Sequence, residues 1–179
     1  MKEIFAYVGS RMEGSSKTFQ YVKSAINNAL KLVGDYEVKV NIYTAADLNI
    51  KFCRGCLNCF VNGICYMDNE DDMKIIKDKI LSADIIILAS PVYVHHISGD
   101  MKVFLDRLGY WCHLLRLAGK PGIAVATSGG NGLDLTYNYL YKVMSYLGIK
   151  VVGKFGIAPY KIDEEYLNSV ENCSKVIAD

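Results

Sequence analysis

Residues 85–99 read Ile85-Ile86-Ile87-Leu88-Ala89-Ser90-Pro91-Val92-Tyr93-Val94-His95-His96-Ile97-Ser98-Gly99, and the first five of them decide the fold. They are apolar at every position, so the alternation of a half-exposed strand is missing. Such a run suits a parallel strand covered by helices on both faces. Apolar, β-branched runs of similar character recur at 4–8, 38–43, 123–126 and 151–157. Helical segments fall between them, near 16–33, 70–82, 99–117, 133–147 and 163–178. This alternation predicts an α/β fold, a doubly wound five-stranded parallel sheet with right-handed crossovers and helices on both faces. The 179 residues contain no repeat, low-complexity tract or linker. They are expected to form one domain, 1–179, with a cysteine-rich insertion at about 50–68.

Composition narrows the partners. The formal charge is +1, with acids and bases interspersed, which leaves no footprint for nucleic acid or an anionic membrane. The opening MKEIFAYVGS is a strand's length of apolar residues, unlike a signal peptide. No stretch approaches the roughly 20 apolar residues of a membrane-spanning helix. The expected compartment is the cytoplasm, where thiols stay reduced. A disulfide framework is therefore a weaker reading of the six cysteines than a metal or redox role. Cys112, beside Trp111 and Leu114, reads as packing, and Cys173 receives no role. The acid run Asp68-Asn69-Glu70-Asp71-Asp72 reads as a helix N-cap followed by the dipole-favoured acids of a first turn.

Five strands wound this way suggest the flavodoxin-like order 2-1-3-4-5, in which FMN sits at the strand 1/strand 3 switch point. Ligands of such sheets bind outside the carboxyl ends of the strands, so the loops after strands 1, 3 and 4 matter most. The first is Gly9-Ser10-Arg11-Met12-Glu13-Gly14-Ser15-Ser16-Lys17-Thr18. Its small and hydroxyl residues, just before a helix, suit a phosphate. The second, residues 90–99, is apolar and aromatic and can border a planar ring. The third, Thr127-Ser128-Gly129-Gly130-Asn131-Gly132, lets backbone amides approach a ligand closely. His95 and His96 lack a third ligand in the sequence nearby, so polar contacts suit them better than a metal.

Four cysteines crowd into Cys53-Arg54-Gly55-Cys56-Leu57-Asn58-Cys59-Phe60-Val61-Asn62-Gly63-Ile64-Cys65, a C-x2-C-x2-C-x5-C spacing. The nearest precedent is the compact ferredoxin run C-x2-C-x2-C-x3-C-P, which holds cubane clusters. Zinc more often takes separated pairs of ligands. A [4Fe–4S] cluster, unmetallated redox-active thiols and zinc all stay open on spacing alone.

Taken together, GSRMEGSSKT, CRGCLNC…GIC…DDM, SPVYVHHISGDMKVFLDR and GKPGIAVATSGG resemble the NADPH-dependent FMN reductase superfamily, and within it the iron–sulfur flavoproteins. The resemblance runs from strand 1 to about Gly153. It implies FMN as cofactor and a homodimer or homotetramer. It further implies that Ser10, Arg11, Ser16 and Thr18 surround the FMN phosphate. Pro91, Val92, Tyr93 and Val94 would border the isoalloxazine, as would Thr127, Ser128, Gly129 and Gly130. Cys53, Cys56, Cys59 and Cys65 would hold the [4Fe–4S] cluster. Two departures stand out: Arg11 occupies the proline position of the common GSPR start, and histidines stand at 95 and 96.

The function this implies is FMN-dependent electron transfer between FMN and one-electron carriers such as ferredoxin. No catalytic side chain is assigned, because the redox chemistry belongs to the cofactors. The alternatives are an NAD(P)H-dependent FMN or quinone reductase without a cluster and, more distantly, a cysteine-based redox sensor. No nicotinamide motif is visible, so NAD(P)H would have to stack on the flavin. Residues 101–117 are apolar around much of a helix, and Tyr137, Tyr139, Tyr141 and Tyr146 follow. Both segments suit a subunit interface.

Overall fold

The computed structural model describes residues 1–158 and 161–179. Five parallel strands, β1 (Lys2–Val8), β2 (Val38–Thr44), β3 (Ile85–Tyr93), β5 (Pro121–Thr127) and β6 (Lys150–Ile157), lie in the order β2-β1-β3-β5-β6. This is the flavodoxin-like order expected from the sequence. Its helices are α1 (Lys17–Val33), α2 (Asn58–Asn62), α3 (Met73–Ser82), α4 (Gly99–Leu108), α5 (Trp111–Leu114), α6 (Leu133–Tyr146) and α7 (Glu164–Ala178).

Strand alternation divides the core in two. Ile4, Ala6, Val8, Ile87 and Ala89 pack against Tyr21, Ile26 and Val170 of α1 and α7. Phe5, Tyr7, Ile86 and Leu88 pack against Met73, Ile76, Phe104 and Leu140 of α3, α4 and α6. Tyr7 and Phe104 stack with ring centroids 4.1 Å apart. Both faces of the sheet are thus apolar, which is why residues 85–89 carry no polar alternation.

Three features depart from the sequence reading. First, β3 continues past Ala89 and turns back on itself, with β4 (His96–Ile97) pairing antiparallel through Val92↔Ile97 and Tyr93↔His96. The two turn residues, Val94 and His95, both have positive φ, 49° and 63°. That geometry normally calls for Asn-Gly, so residue types did not announce the hairpin. Second, the helix expected over 99–117 ends at Leu108; α5 follows, and Leu115 turns left-handed. Met101, Phe104, Leu105, Leu108, Trp111 and Leu117 are all buried within the chain. The apolar circumference that suggested an interface is largely used up by the core, and of the leucines only Leu114 and Leu115 stand exposed.

Third, the acid run 68–72 is not a cap with a dipole-favoured first turn. Asp72 occupies the N-cap position of α3 without capping it, and its carboxylate accepts the Asn49 N–H at 2.7 Å. Asp71 and Asp68 turn inward onto the guanidinium of Arg107. The Asp71 and Arg107 side chains have no exposed surface. Lys77, also buried, donates to Asp68 at 2.6 Å.

Burial opposes the ionised form of Asp71, but hydrogen bonds from Arg107, Lys51 and Met73 outweigh it and hold the carboxyl below its ordinary value of 3.8. Its contribution to stability is complete above that value and is lost as pH falls through the lower folded one. Asp71→Asn is therefore expected to lower the urea midpoint at neutral pH and to flatten its decline below about pH 4. Phe104→Ala should cost about 3–5 kcal/mol by urea denaturation, the usual range for a buried phenylalanine.

Candidate functional site

The sheet register brings three loops together. Val8 lies level with Ala89 and with Thr44, and Pro91 lies level with Thr127. The loops after β1, β3 and β5 therefore emerge side by side at the carboxyl edge.

Specific bonds fasten them. Gly9 donates its N–H to Ala89 O at 2.8 Å. A Cβ on Gly9 would come within 2.7 Å of both Met101 Cβ and Ser98 Oγ, so the close approach of α4 requires glycine here. Ser98 Oγ donates to Gly9 O at 2.6 Å and accepts the Met101 N–H at 3.1 Å, capping α4. Its own N–H donates to Ser90 Oγ at 2.9 Å. Thr18 and Thr127 share a buried hydroxyl–hydroxyl bond of 2.6 Å, joining the first loop to the third. The third loop also abuts the β3–β4 hairpin: a Cβ on Gly132 would lie 2.7 Å from His95 Cα. Ser90 and Ser98 were not singled out in the sequence, although Ser98-Gly99-Asp100 carries an ordinary N-cap signal.

The residues expected around a phosphate fall into two groups. Ser10, Ser16 and Thr18 are buried. Ser16 caps α1, accepting the Phe19 N–H at 3.2 Å, and Ser10 Oγ accepts the Met12 N–H at 3.3 Å. Arg11 instead lies exposed, paired with Asp100 through Nη2 at 2.8 Å and Nε at 3.0 Å. Of the residues expected around a ring, Pro91 and Val92 are partly buried, whereas Tyr93 and Val94 stand out from the hairpin. Thr127 and Ser128 are buried, and Gly129 and Gly130 are exposed. Ser128 Oγ donates to Asn131 O at 2.6 Å and accepts the Gly130 N–H at 3.1 Å, which shapes the third loop. His96 packs edge-on against Tyr139, 4.5 Å between centroids.

The cysteine segment is the connection between β2 and α3. It turns left-handed at Gly55, Leu57 and Gly63. All four cysteines are free thiols; Cys53 and Cys56 are exposed, Cys59 and Cys65 half-buried. Burial raises the Cys59 thiol above its ordinary value, and Cys65, Cys53 and Cys56 add to the effect. A set of four thiols in a single loop suits a soft metal centre in kind. Among the described residues no three His, Cys, Asp or Glu side chains are gathered at ligating geometry. Phe52, next to Cys53, shares a pocket of about 80 Å³ with Tyr7, Arg11 and Asp100, so the segment reaches the first loop. A larger open groove, about 1120 Å³, lies at the opposite edge between the carboxyl ends of α1 and α7, away from all three loops. Cys173 lies in the α1–α7 core, its thiol pushed up to about 12 by burial. Among the described residues no helix is long and apolar enough to cross a membrane.

Fold and loop arrangement define a flavodoxin-like α/β protein with a ligand edge at its carboxyl ends. Solved structures agree on the fold. An apo NADH:FMN oxidoreductase superposes with a TM-score of 0.74 at 23% identity, covering 98% of this chain and 87% of that one. An FMN-dependent NADH-azoreductase from Bacillus anthracis in complex with FMN gives 0.69 at 13% identity, covering 99% and 100%. The sequence pattern of NADPH-dependent FMN reductases matches residues 3–161. An iron–sulfur flavoprotein of Archaeoglobus fulgidus is 29% identical over 170 residues, 93% of this chain and 76% of that protein. One from Clostridioides difficile is 30% identical over 165 residues, covering 90% and 70%. The chain belongs to the NADPH-dependent FMN reductase family and, within it, to the iron–sulfur flavoproteins. It is a flavin-dependent oxidoreductase.

The Thr18–Thr127 bond gives a direct test of how the loops are joined. Thr127→Val would leave the buried Thr18 hydroxyl unpaired and should cost about 1–3 kcal/mol. Thr18→Val/Thr127→Val should recover part of that loss, measured as a double-mutant cycle in urea.

Proposed function

We propose that the chain is an FMN- and cluster-dependent electron-transfer oxidoreductase, passing electrons between one-electron carriers such as ferredoxin and FMN. The observation that carries this reading is four free thiols on one loop whose flank, at Phe52, meets the loop after β1. Bound FMN would supply two-electron chemistry and a [4Fe–4S] cluster on Cys53, Cys56, Cys59 and Cys65 one-electron chemistry.

The protein's own part is to bind and orient. Ser16, at the start of α1, receives the phosphate where the helix end carries partial positive charge. Ser10 and Thr18 shape that loop from within, and Arg11 reaches the phosphate from its place beside Asp100. Pro91, Val92, Tyr93 and Val94 wall the ring. The Thr127–Gly130 backbone would serve the ring's polar edge, with Ser128 holding the turn. No side chain is assigned a proton. NAD(P)H, where it serves as donor, would have to stack on the ring, because no nicotinamide motif is present in the sequence. Residues 1–179 act as one domain with 50–68 inserted. A homodimer or homotetramer is supported by exposed Leu114, Leu115, Tyr141 and Tyr146. A cluster-free NAD(P)H-dependent FMN or quinone reductase is the second reading, favoured by thiols that are not gathered at ligating geometry.

Flavin, iron, acid-labile sulfide and zinc per chain, measured on protein purified without oxygen, separate the two. FMN with about four irons and four sulfides is expected, and Cys53→Ser should lose the iron while keeping FMN. FMN without metal would install the second reading. Metal without flavin would overturn both.

A further inference from the structure

The cysteine segment is held at both ends by one side chain. Arg107, in the last turn of α4, donates through Nη1 to Lys51 O at 2.9 Å, two residues before Cys53. The same Nη1 meets Asp71, and Nη2 donates to Asp68 at 2.8 Å and Asp71 at 3.3 Å, just beyond Cys65. Asp71 closes the ring by accepting the Lys51 N–H at 2.9 Å. Both backbone polar groups of Lys51 are therefore tied to the Arg107–Asp71 pair. Lys77 completes the group on the far oxygen of Asp68, and its ammonium lies 4.8 Å from the centre of the Tyr110 ring. Two cations and two carboxylates balance in charge, and the Arg107 and Asp71 side chains are wholly out of solvent.

A buried charge group of this kind adds little net stability over an apolar one, because desolvation consumes most of its Coulomb gain. Geometry is what it adds. Pinning the two ends of a loop removes the entropy of bringing them together. The exposed segment between, with Cys53 and Cys56 in water, has little core of its own to do the same.

We infer that Arg107, acting through Asp71 and Asp68, is the positioning residue of the cysteine loop: it fastens residues 51 and 68–71 together so that Cys53, Cys56, Cys59 and Cys65 are presented as one preset ligand loop. This rests on the cluster reading above. Arg107 touches no thiol-bound group itself. A lysine keeps the charge but not the fork that reaches one carbonyl and two carboxylates at once.

Two variants test it. Arg107→Lys keeps the buried charge. Arg107→Leu/Asp71→Leu removes both members of the closest pair and leaves Asp68 with Lys77. Each is compared with the wild type, with FMN content and thermal melting as controls for folding. In metal-free protein, amide exchange over residues 51–71 and iodoacetamide labelling of the half-buried Cys59 and Cys65 should quicken about tenfold or more, the loss of one charged hydrogen bond or more from a local opening. Exchange in β1 and β3 should not change. In anaerobically reconstituted protein, chelator-driven loss of iron should quicken by a similar factor with FMN retained. A folded variant with wild-type exchange, labelling and iron loss would overturn the assignment. Should the wild type itself take up no iron, the cluster reading fails, and exchange and labelling still decide whether Arg107 sets the loop.

Discussion

A guanidinium with no exposed side-chain surface cannot be left unpaired; the chain must bring oxygen atoms to it from wherever they lie in sequence. At Arg107 those oxygens come from residues 51, 68 and 71. This single requirement draws the β2–α3 connection across the face of α4. The same helix begins at Ser98, whose hydroxyl binds the loop after β1 and whose amide binds β3. Nine residues of helix, about 14 Å of rigid rod, therefore separate the fastening of the cysteine segment from the fastening of the ligand loops. Two regions with no direct claim on each other in sequence are held on one beam.

The rest of the architecture follows from covering both faces of the sheet. With Ile86 and Leu88 in one core and Ile87 and Ala89 in the other, the middle of the sheet has no place for polar chemistry. Polar groups can collect only where strands end. At the carboxyl edge the level ends of β1, β3 and β5 gather hydroxyls and glycine amides. At the amino edge the same geometry leaves an open groove lined in part by Ile4, Ile85 and Pro121, where Lys2 and Asp84 pair with each other.

How much of this could be read from the sequence depends on how local each cause is. Residues 85–89 have to be apolar on both sides, and that requirement is visible in five adjacent letters. Strand order followed from it through general rules of chain winding. The β3–β4 hairpin was hidden because Val94 and His95 adopt a left-handed turn that their residue types disfavour. The helix over 99–117 is shorter than the apolar pattern implies because the Gly109 N–H turns to Asp106 O and Leu115 turns left-handed, while the apolar residues continue regardless. The acids at 68 and 71 were misread for a different reason. Their partner lies 36 or more residues away, and nothing at short range separates an acid that faces a helix dipole from one that faces a buried arginine. Arg11 has a long-range partner of the same kind: Asp100, 89 residues on, holds its guanidinium beside the first loop, and no local pattern announces that pairing.

Charge also bears on what four crowded thiols can become. Thiolates packed together oppose one another's charge, so a loop that binds a metal through all four must offset that repulsion. Two cations stand on or beside the loop: Arg54 within it, and Arg107 tied to Lys51 and Asp68 at its two ends. Arg54 is largely solvated, and its effect is screened. Arg107 is not, because it is buried and fixed in direction. A residue first required to satisfy two carboxylates has its own charge offset by them, so its bearing on the cysteine loop is chiefly geometric. Substitution by leucine would remove its geometric hold on residues 51–71. Lysine would keep the charge and lose the fork, so comparing the two variants separates the placement of the thiols from the field around them.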